Sequence, residues 1–559
     1  MAFQRTAIMC ALLFLNSCTL ISPDEQKLRL FIEKHVEKIK PLQREENLAY
    51  WNAATTGAKE DYERYTKLQI EIKRIYSNPD DFKFLSEMKD KDTIKNTLLE
   101  RQLDILYNNY LENQIDTTLM KELVQGATAI EEQFNTFRAE IDGEKVTNNE
   151  ILRILKEETD SEVRQEAWEA SKQIGLVVAD QIVDLANKRN EAARTLGFAN
   201  FFQMRLALAE LVEDDLIRIF DELDTLTSES FFAIKATIDS SLAQRYGISP
   251  REMMPWHYHD PFFQEAPSYL DIDLDSFFRG KDIIQIATDF FDGIGLEVND
   301  IIARSDLYER EGKDQHAFCT DIDREGDVRI LINLRDNANW TETTLHELGH
   351  AVYDKYIDRT LPYLLRESAH MFTTEGVAML MGRQVKNPDW LKEIMGITEE
   401  EKEEIAGPVR ELLTSFELVF SRWCQVMVRF ERGLYTDPEQ DLDSLWWDLV
   451  ETYQGLKKPE GRDAPDWAAK IHVAAYPVYY QNYLLGELFA SQIQATLARD
   501  VLQVQTETDI SFAGNPAVGT YLIEKVFKPG SSMRWEEFVE HATGRPLSAV
   551  HFARQFVRR

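Results

Sequence analysis

Residues 341–350, with the sequence TETTLHELGH, constrain the fold more than any other part of the chain because they contain a His-Glu-x-x-His pattern. In an α-helix, residues four positions apart lie on one face, about 6 Å apart along the axis. A helix here therefore brings His346 and His350 together, so that both imidazoles can bind one metal ion. Glu347 can then take a proton from a water molecule at that metal. The pattern predicts the helix and the chemistry of a zinc hydrolase.

The residues beside this motif support a buried helix. Residues 340–345 contain hydroxyl and acidic side chains that suit the start of a helix. Leu345, Leu348 and Ala351 add small or apolar surfaces, so that the helix can pack into a core. This context disfavours the alternative, a surface helix that merely carries two histidines.

A third metal ligand is expected downstream of the motif. A catalytic zinc ion usually has three protein ligands and leaves one position open for water. Glu367 and Glu375 are the two candidates, and 24 residues separate Glu375 from His350. In HExxH proteins whose third ligand is a glutamate, that residue comes from the following helix, and Glu375 lies in a second apolar helical segment. We therefore predict Glu375 as the ligand and Glu367 as a supporting residue.

The rest of the 559-residue chain is predicted to be mostly helical. It has only 24 glycines and 17 prolines, and no segment rich in Pro, Gly or Ser divides it. Most segments have the periodicity of amphipathic helices, so we predict a predominantly all-α fold with one domain over residues 18–559. The predicted helical regions are residues 23–141, 153–194 and 206–246, and a loop rich in aromatic residues follows at 253–267.

A β-hairpin is predicted immediately before the motif helix. Residues 316–323 and 328–334 are rich in residues that favour extended structure, and Arg-Glu-Gly-Asp at 324–327 is a turn sequence. An extended peptide substrate can add to the edge of such a hairpin through main-chain hydrogen bonds. The alternative is a small hairpin that only contributes to packing.

Charge and cysteine content restrict the possible functions. The formal net charge of −34 would repel a phosphate backbone, so nucleic acid is not expected as a partner. Beyond the first 18 residues the chain has only Cys319 and Cys424. Their spacing excludes a cysteine-based zinc knuckle, and the sequence leaves open whether they form a disulfide.

The amino terminus has the features of an export signal. Arg5 provides a positive charge, residues 7–15 are apolar, and residues 15–18, Leu-Asn-Ser-Cys, resemble a bacterial lipoprotein processing box. We predict a signal peptide over residues 1–17, lipid attachment at Cys18, and a location in the periplasm or at the outer membrane. Asn16 is unusual in such a box, so cleavage without lipidation is the alternative, with a buried helix as the third interpretation.

Several sequence blocks together resemble the peptidyl-dipeptidase A family, also known as the angiotensin-converting enzyme family. The resemblance extends from about residue 160 to about residue 500, and it depends on the order and spacing of the blocks rather than on any one of them. In chain order the blocks are His316-Ala317 and residues 346–350, 361–362, 365–367, 375, 446–449, 453–456, 470–472 and 480–483.

This resemblance implies a large two-lobed helical fold with a deep central cleft, one zinc ion per chain, and release of dipeptides from the carboxyl end of oligopeptides. Tyr483 is similar to the tyrosine that stabilises the oxyanion in the family, and His472 to a histidine that holds the substrate. His316 and Ala317 correspond to a pair that contacts the substrate.

The resemblance also assigns residues that would bind the substrate's terminal carboxylate. Lys470 and Tyr480 can provide a cation and a phenol for this purpose. In the family a glutamine from the region matching residues 256–260 joins them, but this chain has no glutamine there. Tyr258 or His259 could substitute, so we expect an altered carboxylate pocket.

Three further positions depart from the family pattern. Val450 and Asn482 stand where the animal enzymes have chloride-binding arginines, so chloride is not expected as a cofactor. Met379 replaces an acidic residue that orients a zinc-binding histidine in the family, so another partner for that histidine is expected.

Two other functions remain open from the sequence. A helical oligopeptidase of the thimet type would use the same zinc chemistry to cleave short peptides internally. A catalytically inactive, peptide-binding lipoprotein is the third possibility, although His346, Glu347, His350, Glu375 and Tyr483 together argue against it.

Overall fold

The computed structural model describes residues 22–557, which are predominantly helical, as predicted. The helices on the amino-terminal side of the motif are α1 (Pro23–Thr56), α2 (Lys59–Tyr76), α3 (Pro79–Asp90), α4 (Thr97–Glu112), α5 (Thr117–Thr136), α6 (Asn148–Glu157), α7 (Ser161–Thr195), α8 (Phe201–Leu208), α9 (Glu213–Tyr246), α10 (Asp275–Phe278), α11 (Ile283–Gly293) and α12 (Asn299–Arg304). The others are α13 (Ala338–Tyr356), α14 (Met371–Gly382), α15 (Pro388–Met395), α16 (Glu399–Thr436), α17 (Leu442–Gln454), α18 (His472–Ala475), α19 (Tyr480–Thr496), α20 (Pro516–Leu522), α21 (Trp535–Thr543) and α22 (Val550–Phe556). Among these, no helix is long and apolar enough to cross a membrane.

The predicted hairpin before the motif helix is confirmed, with shorter strands. β3 (Phe318–Asp321) pairs antiparallel with β4 (Val328–Leu331), and Phe318 lies opposite Leu331. Arg324 and Gly326 in the connecting turn both have positive φ, at 58° and 116°. The outer edge of β4 pairs with Asp306.

Two details of the helical prediction were wrong. Residues 23–141 do not end as a helix, because β1 (Ala139–Ile141) and β2 (Glu144–Val146) form a second antiparallel hairpin. Its turn is Asp142-Gly143, with φ of 53° and 81°, a sequence that favours tight hairpin turns. The region 206–246 is also interrupted, since α8 ends at Leu208 and α9 begins at Glu213.

The motif helix α13 begins slightly earlier than the sequence suggested. Asn337 is its N-cap, and the Asn337 side chain accepts a hydrogen bond from the backbone N–H of Trp340. The hydroxyl residues at 341–344 therefore lie inside the helix, where Thr341 and Thr344 donate to carbonyl oxygens four residues earlier.

Glycines allow α13, α14 and α19 to pack closely. A Cβ atom at Gly349, inside the HELGH motif, would lie 2.7 Å from the Cα of Ala378 on α14. A Cβ atom at Gly376 would lie 2.8 Å from the carbonyl oxygen of Gly486 on α19. Because real side chains do not tolerate such distances, these glycines permit the helix approach that brings Glu375 towards the histidines of α13.

The amino-terminal helices build a smaller core of their own beside the main one. Leu28, Leu99 and Tyr110 are among its buried residues, and Tyr363 and Leu364, from the segment after α13, complete it. A third small cluster packs the end of α1 against the hairpin β3–β4. Helix α1 is thus held over the hairpin, and a cavity remains between α1, β3 and α13.

Candidate active site

Three predicted metal ligands converge at the contact between α13 and α14. Nitrogen or oxygen atoms of His346, His350 and Glu375 all lie within 4.8 Å of one another. Glu375 Oε2 is 3.7 Å from His346 Nε2 and 3.8 Å from His350 Nε2. Donors at zinc distances of about 2.0–2.2 Å in a tetrahedral site lie roughly 3.3–3.6 Å apart. The arrangement therefore fits a metal ion of this size with little adjustment.

The protonation states of these groups also suit a cation. Burial lowers the pKa of His346 to about 4, and burial together with His346 lowers that of His350 well below its ordinary value. Both imidazoles are then neutral at pH 7, which is the form that binds metals. Burial raises the pKa of Glu375 to about 7, and burial and the charge of Glu375 raise that of Glu347 to about 8. A divalent cation would offset the cost of burying these two carboxylates.

Thr374 provides the partner for His350 that Met379 cannot provide. The Oγ1 atom of Thr374 lies 2.7 Å from His350 Nδ1. When His350 Nε2 binds a metal, Nδ1 carries the proton and donates to this hydroxyl oxygen. The sequence predicted that a substitute partner must exist. Thr374 was not identified because a threonine beside a ligand has no distinguishing sequence pattern.

Replacing Thr374 with Val is expected to lower zinc affinity about 10-fold, because the hydrogen bond that orients the His350 ring is lost while the shape of the side chain is kept. Competition with a chromogenic chelator would measure the affinity. Thr374→Ser, which retains the hydroxyl, is the matched control and should stay close to wild type. Equal zinc affinity in the Val variant would show that Thr374 does not orient His350.

A cavity of about 850 Å³ contains the metal-ligand cluster. Glu347, Ala317 and Tyr483 line it together with the three ligand residues. His316 does not, since its side chain is 93% exposed and its Nδ1 lies 3.3 Å from Asp314 Oδ1. The structure places the His316 side chain in solvent, outside this lining, and its predicted contact with substrate stays a prediction. His316 lies in a bend two residues before β3 begins, whereas Ala317 directly precedes the strand and lines the cavity.

Tyr479, which directly precedes α19, and Tyr483, which lies within α19, both face the metal-ligand cluster. The Tyr479 hydroxyl donates to Glu375 Oε1 at 3.4 Å, while the Tyr483 hydroxyl makes no hydrogen bond to a described residue. The preceding Val478 has φ of 56°, which is rare for a β-branched residue. Glu431 Oε1 accepts the Val478 N–H at 2.7 Å, so a buried carboxylate holds this turn in place.

Lys470 and Tyr480 form a separate cluster beside these tyrosines. Tyr480 is buried, and its ring centroid lies 5.6 Å from that of Tyr483. Lys470 Nζ lies 6.0 Å from the Tyr480 ring centroid and 5.3 Å from that of Trp423. Burial lowers the pKa of Lys470 to about 8. An anion here would stabilise the charged ammonium.

Gln264 is a residue of this cluster that the sequence analysis missed. Lys470 Nζ donates to Gln264 Oε1 at 2.6 Å. The buried Asp260 carboxylate accepts the backbone N–H groups of Gln264 and Phe262, and so shapes the loop that presents the glutamine. The resemblance placed the glutamine within residues 256–260, whereas Gln264 lies four residues further along the same loop. It is the only glutamine in residues 253–267, which was the available signal.

The two residues proposed to replace a glutamine are engaged elsewhere. The Tyr258 hydroxyl donates to Asp239 Oδ1 at 2.6 Å and accepts from Lys235 Nζ at 2.8 Å. His259 is buried, and its Nδ1 accepts the backbone N–H of Ser268. Neither side chain contacts Lys470, so the expectation that they substitute in the carboxylate pocket was wrong.

His472 lies beside Tyr480 rather than in the cavity lining. Its ring centroid is 5.1 Å from that of Tyr480 and 5.5 Å from that of Tyr476. The His472 Nδ1 atom is buried without a hydrogen-bond partner among the described residues.

The two cysteines do not form a disulfide. Cys319 lines the cavity as a free thiol, and Cys424 is a free thiol in the core.

This site is that of a helical metallopeptidase. It combines two neutral histidines one helical turn apart with a glutamate from the next helix, and a further carboxylate lies free in the same cavity. The family model described as "Angiotensin-converting enzyme", peptidase family M2, matches residues 22–556. The chain belongs to this family, whose members are zinc metallopeptidases.

Three curated relatives share part of the chain. Over 243 residues it is 25% identical to "Angiotensin-converting enzyme-related protein" of Drosophila melanogaster, covering 41% of this chain and 38% of the relative. It is 24% identical over 261 residues to "Carboxypeptidase 1" of Bacillus subtilis strain 168, covering 42% and 50%. It is 26% identical over 272 residues to "Oligoendopeptidase F, chromosomal" of Lactococcus lactis subsp. cremoris, covering 47% and 42%. The chain thus spans half or less of the length of each relative.

Proposed function

We propose that this protein is a zinc-dependent peptidyl-dipeptidase, which removes dipeptides from the carboxyl end of oligopeptides. The observation that carries the proposal is the presence of Glu347 in one cavity with His346, His350 and Glu375. Bound zinc would act as a Lewis acid that acidifies water and polarises the scissile carbonyl. The three ligand residues would hold it and leave one position open.

The protein's own groups would move the protons. Glu347 accepts a proton from the attacking water and then delivers it to the departing amine nitrogen. Burial and the charge of Glu375 raise the pKa of Glu347, and a bound divalent cation would lower it again, towards the range in which a carboxylate can take up and return a proton. Tyr483, with a hydroxyl that has no partner among the described residues, donates a hydrogen bond to the oxygen that becomes negative.

Release of a dipeptide requires an anchor for the free carboxylate at a fixed distance from the metal. Lys470 and Gln264 would donate hydrogen bonds to that carboxylate, and Tyr480 would line the anchor. A dipeptide in extended conformation spans about 7 Å. An anchor at such a distance would place the second peptide bond from the chain end at the catalytic groups.

Amidation of a substrate's C-terminus is expected to lower kcat/KM about 10- to 100-fold, because the Lys470 ammonium loses its ionic partner. Lys470→Met should lower kcat/KM for the free acid by a similar factor and remove the difference between acid and amide. Mass spectrometry of products from both peptide forms, with and without a chelator, would measure the effect. Lys67→Met, at an exposed lysine, is the control for charge and is expected to behave as wild type.

The alternative activity is internal cleavage by an oligopeptidase of the thimet type. One relative carries the name oligoendopeptidase, which supports keeping this alternative. It predicts equal cleavage of acid and amide substrates, with products of varied length. A metal-free protein that binds peptides without cleaving them would instead correspond to the inactive lipoprotein.

The cellular setting and ion dependence are also proposals. Export, removal of residues 1–17 and lipidation of Cys18 concern residues outside the described part of the chain. We propose a location in the periplasm or at the outer membrane, with oligopeptides as substrates. Val450 and Asn482 are both buried, and neither carries a positive charge that would bind chloride. We therefore expect the activity to depend little on chloride.

A further inference from the structure

Asp354 extends the row of functional side chains along α13. It follows His350 by four residues, as His350 follows His346, so the three lie on one face of the helix. Asp354 lines the same cavity as the metal-ligand cluster. Its carboxylate therefore belongs to the space that a bound peptide would occupy, about one helical turn beyond the second histidine.

The Asp354 carboxylate lacks a partner, although cations are nearby. Arg324 forms an ion pair with Glu367, and Arg359 Nη1 lies 3.5 Å from Asp321 Oδ2. Asp354 itself makes no hydrogen bond or ion pair with its side chain among the described residues. Burial, followed by the charge of Asp321, raises its pKa. The charges of Arg359 and Arg324 act in the opposite direction on this pKa, but neither guanidinium contacts the Asp354 carboxylate, so its oxygens are free to bind a cationic ligand.

Strand β3 relates this acidic position to the carboxylate anchor. The Asp321 end of β3 lines the same cavity as Asp354. Ahead of β3 the chain passes Asp314, whose charge acts on Tyr476. The Tyr476 ring lies 5.5 Å from that of His472, two residues after Lys470. A peptide that lies along β3 with its carboxylate at the anchor therefore directs its upstream residues towards Asp354.

We propose that Asp354, assisted by Asp321, determines specificity by binding a cationic group one or two residues upstream of the scissile bond. The group is a guanidinium or ammonium, from an Arg or Lys side chain or from the free amino terminus of a short substrate. The cavity lining carries more carboxylates than cationic side chains, so it favours such a group. This inference rests on the proposed function.

The test compares peptides that differ in one charge. N-acetylated peptides with Arg or its neutral analogue citrulline at either of the two upstream positions are assayed with the zinc-loaded protein, and a peptide with a free amino terminus is added as a separate arm. We expect kcat/KM about 10-fold higher for Arg than for citrulline at one position. A gain only with the free amino terminus would identify the α-amino group as the ligand.

Matched variants connect the preference to the residue. Asp354→Asn should reduce the Arg-to-citrulline ratio to about 2 or less, and Asp354→Glu should retain much of it. Asp292→Asn, at an exposed position on α11, should leave the ratio unchanged. Thermal unfolding would establish that each variant is folded. A ratio unaffected by Asp354→Asn would overturn the proposal.

Measurements of peptide binding distinguish a failure of this inference from a failure of the proposed function. Dissociation constants of the same peptides are measured with the Glu347→Gln protein and with the Glu347→Gln, Asp354→Asn double variant. A charge preference that depends on Asp354 supports the inference even if no peptide is cleaved, whereas the absence of cleavage by the zinc-loaded wild type contradicts only the proposed function. The inference is refuted if Arg and citrulline peptides bind with equal affinity and acetylation of the amino terminus also leaves the affinity unchanged.

Discussion

Glu347→Gln is expected to lower kcat by about 10²- to 10⁴-fold while zinc remains bound. Glutamine has nearly the same shape as glutamate, but its amide cannot accept the proton that must leave the attacking water. The ligands His346, His350 and Glu375 are untouched, so zinc content should stay near one ion per chain. Steady-state kinetics on a short peptide, combined with metal analysis of the same sample, would measure both quantities.

Glu342→Gln is a suitable control because it changes a glutamate on the same helix. Glu342 pairs with Lys386 and does not line the cavity, so we expect nearly unchanged kcat and only a small loss of stability. Equal turnover in Glu347→Gln and wild type would exclude Glu347 as the base. Zinc loss from that variant would instead assign it to the support of the metal site.

Tyr483→Phe is expected to lower kcat by about 10²- to 10³-fold with little change in KM. The ring is kept, so packing against Tyr480 survives, and only the hydrogen bond to the developing oxyanion is lost. Because this bond matters most in the transition state, the effect should appear in kcat rather than in substrate binding.

Tyr479→Phe provides an internal comparison, since Tyr479 also lines the cavity and its hydroxyl donates to Glu375. We expect a smaller decrease in kcat and a modest decrease in zinc affinity. If the Tyr479 variant lost more activity than the Tyr483 variant at full zinc occupancy, the oxyanion would have to be assigned to Tyr479.

The local parts of the fold were predictable because they depend on neighbours in sequence. HELGH implied a helix with both histidines on one face, and the hairpin was visible from residue types and from its turn. The Asp142-Gly143 hairpin was missed although its turn sequence is favourable, because strands of three residues have no recognisable alternation.

Contacts between distant segments explain the residues that were missed or misplaced. Gln264 and Lys470 are 206 positions apart, and the path of an irregular loop decides which of its residues reaches the lysine. His316 was predicted to contact substrate by resemblance, and the bend ahead of β3 leaves its side chain in solvent while Ala317 lines the cavity.

His346, His350 and Glu347 could be named from HELGH alone as candidate ligands and candidate base, because helix geometry places residues four apart on one face, and Glu375 could be named because it lies in the next apolar helical segment. The partner of His350, the glutamine beside Lys470 and the acidic position at Asp354 required the packed structure. Each depends on which side chains meet or remain unpaired once segments distant in sequence have packed together, and no local sequence pattern records those contacts.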